Sequence, residues 1–264
     1  MPEPSPLPTV PFVIGHRGCG RGTSAGGHVE NTVAGFVGAA ALGASWVEMD
    51  ARLNADHELV LNHGARRRLS AISAMSSAEC SRAGVATLAE VHAALPAGVG
   101  IYLEVKLPPL RRMVRARLGL SDAGGEATIA AALAWAGLAG GQRPALVASF
   151  DRAAAGAAGA AGLAAAWVRW WCHSVYESVA VAGAAGCTVL VARAGDVLAV
   201  RPDHQRPGVL AGQMAAHGVA LWAWNVRAGD VDSLICAGVT GMCTDDIAGV
   251  AAAVRAHQGC VGRR

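Results

Sequence analysis

Nine short apolar runs divide this chain, and one neighbouring pair stands too close for a helix to fit between. The runs are Pro11–His16, Trp46–Asp50, Leu59–His63, Ile101–Lys106, Ala145–Phe150, Trp167–Trp171, Thr188–Val191, Val219–Asn225 and Gly241–Thr244. Most are near-continuous in apolar residues, which fits parallel strands covered on both faces. Between them lie Ala-rich helical stretches: Thr32–Leu42, Leu88–Leu95, Glu126–Ala139, Arg152–Ala165, Glu177–Ala184, Val209–His217, Val231–Ala237 and Ile247–His257. A parallel crossover needs about a dozen residues, and Ala51–Glu58 is too short for one. Trp46–Asp50 and Leu59–His63 are therefore predicted to form an antiparallel hairpin. Its turn lies around Asn54–Glu58, with Asn62 opposite Asp50 and His63 beside Glu48 and Asp50. Setting the return strand aside leaves eight βα units. The predicted fold class is α/β: a (β/α)8 TIM barrel with a short accessory β-hairpin strand after the second strand. Sites in such barrels sit at the C-terminal ends of the strands.

Residues 1–264 are expected to form a single barrel domain, a common outcome near 250 residues. Residues 1–9 read as an extended lead-in and 64–86 as a reduced insertion loop. Composition excludes several other classes. At 53% hydrophobic and 16% charged, the chain can bury enough apolar surface to offset ordering entropy, so it is not disordered. Its 34 glycines follow no three-residue period with proline, which excludes a collagen helix. A net charge of +3 is too small and too scattered for a nucleic-acid surface. The seven cysteines form no close pairs, which argues against a disulfide framework or zinc knuckle and for small core residues in a reducing compartment. The N-terminus lacks a basic segment followed by a long apolar run. Ala153–Val168 is short of the roughly 20 residues a membrane span needs. A cytoplasmic protein without a transmembrane segment is expected.

The chemistry collects at strand ends. The first run ends in His16 and Arg17, the second holds Glu48 and Asp50, the hairpin return ends at His63, and the fourth run holds Glu104 and Lys106. Side chains two apart on a strand share a face, so Glu48 pairs with Asp50 and Glu104 with Lys106. Charges on the interior face of a barrel are costly unless paired or metal-bound. Glu48, Asp50 and Glu104 are therefore candidate ligands for a divalent cation, and an all-oxygen set suits Mg2+ or Ca2+. Two imidazoles beside a metal and two cations match phosphate-ester chemistry, in which histidines move protons while positive groups hold phosphoryl oxygens.

The run IGHRGCG at 14–20, the segment ENTVAGF at 30–36, the Glu-x-Asp strand and the His63 strand end together resemble the glycerophosphodiester phosphodiesterase family. The likeness continues through YLEVK (102–106), ASFD (148–151), VALWAWNV (219–226) and GVTGMCTDD (238–246). The resemblance implies that His16 and His63 form the general acid/base pair and that Glu48, Asp50 and Glu104 hold the metal. It implies that Arg17 and Lys106 contact phosphate, that Glu30 lies near the site, and that Trp224 lines its mouth. It also implies in-line attack by a glycerol hydroxyl, then opening of a cyclic phosphate by water. Glycerol 3-phosphate and an alcohol would be released from a small glycerophosphodiester. A lysophospholipase D-like activity on the same site and a non-catalytic phosphate-binding barrel are the alternatives.

The chain departs from the family pattern at Gly64, Asn225, Arg227, Thr240 and Ile247, none of them a proposed ligand or acid/base group. Arg66, Arg67 and Arg68 read as a solvated loop. Asn31 reads as a helix cap, Ser149 as a polar strand end facing the mouth, and Gly18–Gly27 as a rim loop whose glycine spacing fails the dinucleotide pattern. Of 22 Lys and Arg residues only Lys106 is lysine. A compact ammonium and a planar guanidinium are not equivalent beside a phosphate, which singles out that position.

Overall fold

A computed structural model describes residues 7–24, 27–64, 72–107, 123–139, 142–169, 174–199 and 209–261. The strands are β1 (Phe12–Gly15), β2 (Trp46–Leu53), β3 (Leu59–Leu61), β4 (Gly100–Val105), β5 (Ala145–Ser149), β6 (Ala165–Val168), β7 (Val189–Arg193), β8 (Ala220–Trp224) and β9 (Val239–Thr244). The helices are α1 (Val33–Ala41), α2 (Ser77–Arg82), α3 (Leu88–Ala94), α4 (Ala123–Ala139), α5 (Arg152–Ala160), α6 (Val175–Ala184), α7 (Ala194–Leu198), α8 (Val209–His217), α9 (Val231–Cys236) and α10 (Ile247–Val261). The strand order is β1-β9-β8-β7-β6-β5-β4-β2-β3, and a further pairing of β1 with β2 closes the sheet. Eight parallel strands thus form a TIM barrel, and β3 is bonded to its outside.

The hairpin follows from the different lengths of β1 and β2. Only the start of β2 pairs with β1, through Ile14 with Trp46 and Gly15 with Val47. Beyond Gly15 that edge of β2 is open, and β3 fills it with Ala51 opposite Leu61 and Leu53 opposite Leu59. The Asn62 N–H donates to the Asp50 carbonyl at 2.9 Å, the alignment expected from the spacing. Asn54 shapes the turn: its side-chain oxygen accepts from Asp56 N–H at 3.1 Å and Glu58 N–H at 2.8 Å. Such local bonds are what asparagine contributes to turns.

Alternation divides the strands into two faces. Phe12, Ile14, Trp46, Tyr102, Leu146 and Trp222 are among those packed together inside the barrel. Val13, Val47, Met49, Ile101, Leu103 and Val147 face the helices. The interior is closed by aromatic rings: Trp222 lies 5.1 Å from Phe12, 5.4 Å from Trp46 and 6.0 Å from Tyr102, centroid to centroid. Space for the Trp222 ring comes from Gly241 on the next strand, where a Cβ would lie 2.5 Å from it.

The Ala-rich segment departs from expectation. The helix expected to reach Ala165 ends at Ala160, and β6 starts at Ala165 rather than Trp167. Gly162 takes a positive φ of 74° between them. Alanine suits both a helix and a buried strand, so apolar pattern alone does not place this boundary. The glycines in α5 permit close packing: a Cβ on Gly159 would meet the Gly186 carbonyl oxygen at 2.1 Å. The 64–86 insertion contains α2, which starts in a capping box formed by Ser76 and Glu79. The Arg66–Arg68 loop and the expected strand residues Trp170 and Trp171 lie outside the described residues. No helix among the described residues is long and apolar enough to cross a membrane.

Gly241→Ala is expected to force the Trp222 ring off its position, at a cost of about 1–3 kcal/mol. A denaturant titration of the variant checks this.

Candidate active site

Glu48 and Asp50 on β2 and Glu104 on β4 point into the C-terminal mouth of the barrel. Backbone pairing sets Asp50 beside Glu104. All three are buried, with 2%, 1% and 7% exposure respectively, and one oxygen from each lies within 4.8 Å of the others. Such a cluster repels itself, and the surrounding residues answer that repulsion unevenly. Lys106 forms ion pairs with Asp50 at 2.9 Å and with Glu104. Arg17 Nε lies 3.3 Å from Asp50, and the Arg17 backbone N–H donates to Glu48 Oε2 at 2.9 Å. Glu48 Oε1 is buried with no hydrogen-bond partner.

These contacts set the ionisation of each group. Burial pushes the Asp50 carboxyl up, but Lys106, Arg17 and His63 outweigh it and hold Asp50 down at about 2. Burial and the charges of Asp50 and Glu104 push Glu48 well above the ordinary carboxylate range. Burial opposes the Lys106 charge, yet Glu104, Asp50 and Glu48 together raise its pKa. Three buried carboxylates, one with an oxygen left unpaired, form a donor set that fits a hard divalent cation. The residues present therefore fit the cofactor expected from the sequence.

Two imidazoles flank this cluster. His16 follows β1, with Nε2 3.9 Å from Glu48 Oε2 and Nδ1 2.7 Å from Asp245 Oδ1. His63 stands two residues beyond β3. Burial is the largest influence and depresses its pKa to about 4; Asp50, next in size, pulls the other way with help from Glu30, while the positive charges of Lys106 and Arg17 add to the depression. Arg52 braces the hairpin return: Nε donates to the Asn62 carbonyl at 2.8 Å and Nη2 to the His63 carbonyl at 3.0 Å. Glu30 accepts from Arg17 Nη1 at 3.1 Å and from the Gly22 N–H at 2.7 Å, joining Arg17 to the rim loop. Trp224, at the end of β8, packs edge-on against Phe150 at 6.5 Å, and the Lys106 ammonium lies 5.7 Å from the centre of the Phe150 ring.

Two expectations are corrected. Asn31 does not cap α1; Thr32 does, accepting from the Gly35 N–H at 3.1 Å. Asn31 instead binds Asp50 twice, donating from Nδ2 to Oδ2 at 2.8 Å and accepting from the Asp50 N–H at 3.2 Å. Its positive φ of 56° turns the chain so that the next residue can cap, and asparagine tolerates that conformation well. Ser149 does not face the mouth. Its hydroxyl donates to the Val105 carbonyl at 3.2 Å and accepts from the Asp151 N–H at 3.1 Å.

Asp245 is a site neighbour not singled out from the sequence. It directly follows β9, and β9 pairs with β1 so that Gly15 stands opposite Thr244. The ring closure of the barrel is what brings residues 229 apart in sequence into contact. The signal was the strand-end TDD motif together with the fact that first and last strands of a closed barrel are neighbours. Burial pushes the Asp245 carboxyl up, but His16 and Arg21 hold it at about 2. A cavity of about 440 Å³ bounded by Phe150, Arg152, Trp167, Glu177, Ser178 and Val181 includes none of the clustered carboxylates or imidazoles.

Residues 16–248 match the model of the glycerophosphoryl diester phosphodiesterase family. The chain belongs to that family. The matched span of this family member runs from His16 past Asp245, and so includes every residue of the site just described. Its fold is shared by solved structures of low identity. One from Galdieria sulphuraria, described as a glycerophosphodiester phosphodiesterase, is 17% identical with a TM-score of 0.72, covering 93% of this chain and 98% of that one. An Oleispira antarctica phosphodiesterase, solved in complex with the product sn-glycerol-3-phosphate, is 21% identical with a TM-score of 0.65, covering 93% and 97%. A glycerophosphocholine phosphodiesterase of Candida albicans is 50% identical over 54 residues, which is 19% of this chain and 5% of that protein. The match thus spans a small part of that curated relative.

The depressed pKa of His63 carries a pH dependence. Below the ordinary value near 6.5 the unfolded chain takes up a proton at His63 and the folded chain does not. Stability is therefore lost as pH falls from about 6.5 toward the folded value of about 4. Thermal unfolding across this range is expected to fall more steeply for the wild type than for His63→Ala.

Proposed function

We propose that this family member is a divalent-metal-dependent phosphoric diester hydrolase that releases glycerol 3-phosphate and an alcohol from small glycerophosphodiesters. The observation that carries the proposal is the buried cluster of Glu48, Asp50 and Glu104 flanked by His16, His63, Arg17 and Lys106 at the barrel mouth. Family membership supplies the reaction class. The product bound to the Oleispira antarctica neighbour and the name of the Candida albicans relative point to a glycerol 3-phosphate moiety.

Glu48, Asp50 and Glu104 would hold Mg2+ or Ca2+, which when bound supplies charge for phosphoryl oxygens. Arg17 and Lys106 bring further positive charge to the same place. Arg17 is anchored by Glu30 and Asp50, so it need not reorganise as negative charge develops on the phosphoryl group. His63, neutral at physiological pH because its pKa is depressed, can accept a proton from an attacking hydroxyl. His16 presents Nε2 toward the cluster. Carrying a proton on Nε2 as well as the one Nδ1 shares with Asp245, it can donate the Nε2 proton to the departing alcohol. Then neutral, it can take one back from the water that opens the cyclic phosphate, while His63 returns its proton to the glycerol oxygen. The two-step route has the substrate's own glycerol hydroxyl attack phosphorus, expel the alcohol and leave a cyclic phosphate for water to open. Glu30 holds Arg17, and Trp224 packed against Phe150 would wall the mouth. The described cysteines are free, with Cys19, Cys80, Cys187 and Cys243 buried, which suits a reducing, cytoplasmic setting.

The test is release of sn-glycerol 3-phosphate from glycerophosphocholine and glycerophosphoethanolamine, with a lysophospholipid in parallel. Turnover is expected with Mg2+ or Ca2+ and is expected to vanish with chelator. His16→Ala and His63→Ala are each expected to lose about 10²–10⁴-fold in kcat. Absence of turnover across the diesters with metal present would overturn the proposal.

A further inference from the structure

We propose that Asp245 is a positioning residue that fixes the tautomer and aim of His16, and that Arg21 holds Asp245 to that task. The inference deepens the proposed function and rests on it for the kinetic part of its test. A carboxylate only accepts hydrogen bonds. The 2.7 Å contact between Asp245 Oδ1 and His16 Nδ1 therefore places the proton of the neutral ring on Nδ1. The lone pair is left on Nε2, the nitrogen that faces Glu48 at 3.9 Å. Nε2 can then exchange a proton with a reacting oxygen only because Nδ1 is committed elsewhere.

The backbone makes this pairing rigid. His16 N–H donates to the Thr244 carbonyl at 3.1 Å, so the two residues leave adjacent strand ends already in register. Asp245 is itself tied from the other side. Its Oδ2 accepts from Arg21 Nε at 2.7 Å, and its Oδ1 accepts from the Arg21 backbone N–H at 3.2 Å. The rim loop can lie this close because of Gly20, where a Cβ would stand 3.2 Å from the Asp245 backbone and Cβ. The next residue is occupied differently: Asp246 Oδ1 accepts from the Gly249 N–H at 3.0 Å at the start of α10. The two neighbouring aspartates therefore divide site orientation from helix capping.

Asp245→Asn keeps the shape and removes the charge. Its amide has a single oxygen to offer either Arg21 or His16, so the ring loses its fixed tautomer. Two measurements decide the matter. Long-range ¹H–¹⁵N spectra of the His16 ring are expected to show the Nδ1–H tautomer in the wild type and a mixture or the Nε2–H form in Asp245→Asn and Asp245→Ala. Turnover of glycerophosphocholine with Mg2+ is expected to fall about 10²–10⁴-fold in kcat, with KM little changed, and to recover in part in Asp245→Glu. Unchanged kcat, a loss confined to KM, or an unaltered His16 tautomer in both variants would overturn the inference. A wild type without diesterase activity would refute the proposed function instead, and the ring spectra would still decide the role of Asp245.

Discussion

The carboxylate of Asp50 is the point on which the barrel mouth depends. It is almost fully buried, and contacts from several separate elements converge on it. Lys106 comes from the end of β4, Arg17 from the end of β1, and Asn31 from the turn before α1. The hairpin return is fastened to the same residue by its carbonyl. A buried charge left unpaired costs several kcal/mol, so each partner is held as firmly as the charge it compensates. The need to satisfy one buried carboxylate thus orders Arg17 and Lys106, and it draws the His63 segment inward.

Compensation around the cluster is incomplete, and the incompleteness is where chemistry enters. Asp50 is held ionised, while Glu48 is pushed toward protonation and keeps one oxygen without a partner. A divalent cation would supply the missing positive charge. Lys106 already touches two of the three candidate ligands, so the ammonium and a metal ion draw on the same oxygens. This gives a physical meaning to a chain in which Lys106 is the sole lysine. The position calls for a compact charge that can sit among carboxylates, which a guanidinium does not match.

Much of this was legible in the sequence, for identifiable reasons. The hairpin was forced by the short gap after Asp50, and strand alternation put Glu48 with Asp50 and Glu104 with Lys106. Signals failed where a residue type serves two structures or where contact arises only from closure. The alanine-rich stretch 160–165, broken only by Gly162 and Leu163, is compatible with helix and strand, so its apolar pattern does not mark the start of β6. Asn31 stands just before a helix, where capping is the commoner role, but its positive φ hands the cap to Thr32 and turns its own amide to Asp50. Asp245 reaches His16 only because the last strand pairs with the first.

The central claim is that Glu48, Asp50 and Glu104 exist as a buried group in order to hold a divalent cation. Crystals grown with Mn2+, which can stand in for Mg2+, test it through the metal's anomalous scattering. The account predicts a single strong peak among the three carboxylates, with the Lys106 ammonium moved away from at least one of them. A peak elsewhere, or none with Lys106 still paired to Asp50 and Glu104, would contradict it.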